Sequence, residues 1–179
     1  MAFHHVALAT RDLPSTHRFY TEAMGFNVVK VVAAPTPEES GWAKHVFYDT
    51  GNGELIAFWE IHDEKIEAGS WTGDLSRVIG LPQWVNHVAF DAPTLEALET
   101  RKQHWREHGL TVAEIDHGFC TSIYATDPND ILVEFCCTTR PFTDGELSAA
   151  PRLIHESNPQ LETPPDVRMF KPVEAPATT

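Results

Sequence analysis

The sequence predicts an α+β fold made of two βαβββ modules. Three observations predict it: an internal repeat, a helical pattern after each copy of that repeat, and β-rich runs after each helix. FHHVALATRDL near the start and VNHVAFDAPTL from Val85 each hold a His, then Val-Ala and an apolar residue, then a short polar turn. Each copy leads into a helix, over Pro14 to Met24 and over Thr94 to His108. Gly25 and Gly109 stand just past the two helix ends, where glycine is common.

Three strands are expected after each helix. In the first half they run over Phe26 to Val32, Ala43 to Asp49 and Leu55 to Ile61. In the second they run over Leu110 to Ile115, Thr121 to Ala125 and Ile131 to Cys136. Gly51-Asn52-Gly53 and Asp127-Pro128-Asn129-Asp130 mark the turns before the last strand of each half. The chain therefore divides into a first module (1–62), a linker (63–84) with some helix over Asp63 to Ala68, a second module (85–140) and a tail (141–179). The tail is rich in Pro, Glu and Thr and is expected to be extended.

Composition narrows the function. A hydrophobic fraction of 42% is enough for a real core, and a net charge of −13 argues against nucleic acid or an anionic membrane surface as partner. A small-molecule substrate is expected instead. The N-terminal residues lack a basic and apolar leader pattern, and no run approaches the ~18 apolar residues of a membrane span, so a cytoplasmic location is expected. Cys120, Cys136 and Cys137 are expected to be reduced and packed in strands.

Strand alternation selects the candidate site. His5, Ala7 and Ala9 share one face of the first strand, while the larger Val6 and Leu8 belong on the helix side. In the second copy His87 and Ala89 face away from the helix, which takes Val88 and Phe90. On the last strand Glu134 interrupts an apolar run, and an unpartnered carboxylate there would be costly to bury. Two imidazoles and one carboxylate at repeat-related places read as a three-ligand metal site with open positions, suited to Fe(II), Mn(II) or a similar cation.

HVALATRDL…FYTEAMGF, NHVAF and SIYATDPNDILVEF resemble the glyoxalase, bleomycin-resistance and extradiol-dioxygenase group of the vicinal oxygen chelate superfamily, over about residues 3–138. The resemblance implies paired βαβββ modules forming a cupped mixed sheet around one metal, with His5, His87 and Glu134 as ligands. It also implies a homodimer. Fe(II) is favoured, with Mn(II), Ni(II) and Zn(II) as alternatives.

Family glyoxalases often carry a fourth ligand where this chain has Ala57, and fosfomycin-modifying relatives usually have Thr where Ala7 stands. Extradiol dioxygenases place a Tyr where Tyr124 stands. The acid/base His of two-domain extradiol enzymes would fall near Gly53 or Glu54 and is missing, which leaves His117 or His45 for proton transfer. Trp42, Phe47, Phe58 and Trp59 are candidate walls of an aromatic-substrate pocket. The resulting expectation is ring cleavage of a catechol-like compound. The alternatives are a non-oxidative isomerase, lyase or transferase on the same metal site, and a small-molecule (antibiotic) binding protein without catalysis.

Overall fold

The structure, a computed structural model, describes residues 3–37, 39–66 and 71–174. The first module is β1 (His5–Thr10), α1 (Leu13–Arg18, continued by a π-helical turn over Phe19–Ala23), β2 (Asn27–Pro35), β3 (Gly41–Asp49) and β4 (Leu55–Asp63). The second is β5 (His87–Asp91), α3 (Leu95–Glu107), β6 (Val112–Asp116), β7 (Cys120–Thr126) and β8 (Leu132–Thr138). The α+β class and the repeated βαβββ order are as expected. Each helix starts on a side-chain cap: Asp12 accepts from the Ser15 amide at 2.9 Å and Thr94 from the Ala97 amide at 3.1 Å. Gly25 (φ 74°) and Gly109 (φ 81°) close them in the left-handed conformation.

The strands form two separate sheets, ordered β1-β4-β3-β2 and β5-β8-β7-β6-β9, where β9 is Val167–Phe170. In both, the first strand runs parallel to the last strand of its module and the other pairs are antiparallel. The helix-bearing faces of both sheets meet in one core. Tyr20, Met24, Phe26, Tyr48 and Phe58 of the first module and Leu98, Trp105, Val133 and Phe135 of the second belong to it. Phe26 is the hinge of this packing, with its ring 4.9 Å from Phe90 and 6.4 Å from Phe135.

Polar ties reinforce the back-to-back arrangement. Arg101 donates to the Met24 carbonyl at 2.8 Å and the Tyr20 hydroxyl to Asp127 at 3.2 Å. The Asn129 side chain donates to Thr16 at 3.0 Å, so the second module's turn is bonded to the first module's helix. Burial raises the Asp127 carboxyl above its usual range, against the bonds it accepts from Asn129, Ile131 and Tyr20. With both helix faces spent on one core, the opposite sheet faces look away from each other.

Two expectations about the connecting segments need correction. The helix expected over Asp63 to Ala68 is a turn at 64–66, its last two residues lying outside the described ones, and the linker's helix is instead α2 (Leu75–Val78). The tail is not simply extended: it holds α4 (Asp144–Leu153), capped by Thr143 and Glu146, and β9, which pairs with β6. Tail composition suggested neither. Both depend on partners elsewhere: Arg140 for the α4 cap and the free edge of β6 for β9.

Candidate metal centre and substrate cup

The pleat puts His87, Glu134, Tyr124, Ser122, Cys136, Ala113 and Ile115 on the open face of the second sheet. The register pairs Tyr124 with Glu134, Ser122 with Cys136 and Ala113 with Tyr124. Glu134 is 5% exposed, and its Oε2 lies 3.1 Å from His87 Nε2. The other imidazole nitrogen, Nδ1, is 3.1 Å from the Trp84 carbonyl. A carbonyl only accepts, so Nδ1 carries the hydrogen and Nε2 faces the carboxylate with its lone pair. Two such acceptors are stable neighbours only with a proton or a cation to share. A bond from one ring nitrogen to a backbone carbonyl is also how metal-binding histidines are oriented, with the other nitrogen left to face the ion.

His117 and Tyr124 come together beside this pair, with Nε2 3.0 Å from the phenol oxygen. Burial pushes the Tyr124 phenol up to about 12, with the Glu134 charge adding to the shift and Ser122 opposing it. Tyr124 therefore remains a neutral donor at neutral pH. A cavity of about 450 Å³ opens there, walled by Trp84, Ala113, Ile115, Leu132, Tyr124 and His117 and adjoining His87. Trp84 and Leu132 were not singled out in the sequence. Trp84 lies in an irregular linker, where no periodicity assigns a face.

His5 lies on the open face of the first sheet. Its ring is 5.5 Å from Phe47 and 6.1 Å from His45. His45 stacks on Trp59 at 3.8 Å with its Nε2 buried and unpartnered among the described residues. Burial, then the nearby His5, lowers the His45 pKa below the usual imidazole value. His4 touches His5 through their Nδ1 atoms at 2.8 Å, so the strand-face alternation expected to separate these rings does not hold at the strand start. Of the four aromatic candidates, Phe47 and Trp59 face this half-cup. Phe58 is fully buried in the core, and Trp42 stacks on His62 at 4.0 Å.

Within one chain, then, His87 and Glu134 meet and His5 stands apart with His45. Among the described residues no three His, Cys, Asp or Glu side chains converge to hold an ion. The three cysteines are free, Cys120 and Cys137 buried and Cys136 partly so. No helix is long and apolar enough to cross a membrane among the described residues.

A model of the Glyoxalase/Bleomycin resistance protein/Dioxygenase superfamily matches residues 2–135. Among solved structures, a glyoxylase/bleomycin resistance protein/dioxygenase domain from Frankia sp. EAN1pec is 20% identical with a TM-score of 0.59. The match covers 77% of this chain and 98% of that one. A genomically encoded fosfomycin resistance protein from Listeria monocytogenes is 19% identical (TM-score 0.54, 78% and 94% covered). A lactoylglutathione lyase from Agrobacterium tumefaciens is 17% identical (TM-score 0.51, 76% and 92% covered). At these identities the likeness is one of fold. No curated protein matches the chain significantly.

Proposed function

The chain belongs to the Glyoxalase/Bleomycin resistance protein/Dioxygenase superfamily, and on that premise we propose that it is a divalent-metal enzyme cleaving a catechol-like ring with O2. One observation carries the reading: the His87 lone pair and the buried Glu134 carboxylate share a 3.1 Å contact that calls for a positive charge, directly beside the Tyr124–His117 pair.

The third ligand comes from a second copy. Among the described residues β1 and β5 each end a sheet with an unpaired edge. Exposed apolar residues flank both edges, Phe3 and Val6 at one and Trp84 and Val85 at the other. In a homodimer with β1 of one protomer beside β5 of its partner, His5 of one and His87 and Glu134 of the other complete a three-ligand site, twice over. The two half-cups then close on one substrate. The donor set of two imidazoles and one carboxylate suits Fe(II), with Mn(II), Ni(II) and Zn(II) as alternatives, and such a cation would supply Lewis-acid stabilisation to two adjacent substrate oxygens.

The chain's own groups do the rest. The Tyr124 phenol donates to a substrate oxygen, and His117, bonded to it, passes protons between that oxygen and solvent. This bond favours His117 over His45 for proton transfer. His45, Trp59 and Phe47 form an aromatic wall for the ring, and burial, then the nearby His5, lowers the His45 pKa there.

Subunit mixing tests the shared site. His5→Ala and Glu134→Ala homodimers should each bind little metal, whereas mixed dimers should regain one intact site of the two. Failure to regain any metal on mixing removes the cross-subunit site. Anaerobic Fe(II) protein should change its iron spectrum with catechol and give a yellow ring-opened product on admission of O2. If it consumes no O2, while Mn(II) or Ni(II) protein turns over a non-oxidative substrate, the isomerase or transferase reading replaces this one.

A further inference from the structure

β9 lies beyond the part of the chain that the family model matches, yet it extends the sheet that carries the substrate cup. Its four residues alternate. Arg168 and Phe170 turn to the helix side: Arg168 pairs with Glu114, and Phe170 lies beneath Lys102, whose Nζ is 4.3 Å from the ring centroid. Arg106 bonds the Lys171 carbonyl at 2.9 Å and accepts at its own carbonyl from the Val173 amide at 3.0 Å, so the strand is fastened at its end as well. Val167 and Met169 turn the other way. They pair with Ile115 and Ala113, two residues that wall the 450 Å³ cavity beside His87.

Both are left exposed, Val167 at 55% and Met169 at 63%. One face of β9 is thus used to hold it in place while the other presents two large apolar side chains in line with an apolar wall. Covering them would contribute about 25 cal/mol per Å². A strand adds about 5 Å to a sheet, roughly the reach of a short alkyl substituent. Among the described residues no Lys or Arg lines the cavity, so away from the proposed ion its wall offers no fixed side-chain cation to an anionic substituent.

We propose that β9 is a specificity element, in which Val167 and Met169 lengthen the apolar wall of the cup so that the preferred substrate bears an uncharged apolar substituent on the side of its ring away from its paired oxygens. The proposal rests on the reading of this cup as the substrate site.

The test uses the full-length, metal-loaded protein with catechol, a propyl-substituted catechol and naphthol. Naphthol has no vicinal oxygens and reports on the wall apart from the chelation chemistry. Affinities are read by calorimetry for wild type, Val167→Asp, Met169→Asp and Met169→Leu, with circular dichroism confirming the fold and light scattering the mass. Propylcatechol should bind wild type about 10-fold tighter than catechol. That ratio should fall to about 1 in either Asp variant and persist in Met169→Leu, and naphthol should weaken in parallel. An unchanged ratio in the Asp variants overturns the proposal, as does failure of naphthol to bind wild type. A change in oligomeric mass in place of affinity also overturns it, by making the face an interface. If catechols do not bind but naphthol does, and weakens in the Asp variants, the catechol reading fails while the apolar wall stands.

Discussion

The two half-cups are built on one register and differ in what they hold. In the first sheet Phe47 stands opposite Ala57; in the second Tyr124 stands opposite Glu134 at the corresponding place. Ala57 is also beside Ala7 as Glu134 is beside Ala89, so the equivalence holds on both sides. One phenol hydroxyl and one carboxylate set the second face apart from the first, which carries imidazoles and aromatic rings at the corresponding places. The first module keeps two imidazoles, His5 and His45, the latter stacked on Trp59, with Phe47 beside both. An unpaired carboxylate there would be buried at a cost.

The sharpest break of this asymmetry is ligand removal. His5→Ala, His87→Ala and Glu134→Ala should each lose most bound metal by elemental analysis, although only two of the three lie in the second module. Full occupancy in all three variants would remove the proposed site.

Anchoring should differ in the same direction. The Lys102–Glu114 pair of the second module is almost wholly buried, with side chains 7% and 6% exposed, whereas Lys44–Glu60 of the first has its lysine 40% exposed. Lys102→Ala should therefore cost more than about 1 kcal/mol in urea denaturation but less than the ~3–5 kcal/mol of a fully uncompensated buried charge, because Arg168 still pairs with Glu114. Lys44→Ala should cost less than about 1 kcal/mol. Equal losses would mean that the second sheet is no more dependent on its ion pair than the first.

Tyr124→Phe makes the two sheets alike at this position. Turnover should fall by an amount corresponding to about 1.5–3 kcal/mol, with metal content unchanged, since the phenol is assigned to the substrate and not to the ion. A loss of metal in this variant would reassign Tyr124.

The smallest effect concerns α4, in the tail that extends only the second module. Bonds from Arg140 and the Thr143 backbone and hydroxyl hold the Glu146 carboxyl at about 2. A depressed carboxyl contributes stability that is present above its ordinary value near 4.5 and is lost as pH falls through the folded value. Amide protection factors in α4, taken relative to the intrinsic exchange rate at each pH, should accordingly fall between about pH 4.5 and 2, and Glu146→Gln should remove that dependence.

Much of the molecule follows from local pattern. The repeat around His5 and His87, the period-2 alternation and the Asp12, Thr94 and glycine signals mark both modules, because strand and helix periods are properties of a few consecutive residues. The place of Glu134 was legible for the same reason, as a carboxylate in an apolar strand. What the chain could not declare by itself depends on contacts between distant segments. The tail forms β9 only because β6 has a free edge and Glu114 a free oxygen for Arg168. Trp84 reaches the cup from a linker without periodicity. The largest decision, that the modules pack helix face to helix face and leave His5 on the opposite side from His87 and Glu134, was made by Phe26 meeting Phe90 and Phe135 and by Tyr20 meeting Asp127. Those contacts form between residues far apart in sequence. Their energy comes from the fit of whole surfaces, which no run of consecutive residues encodes.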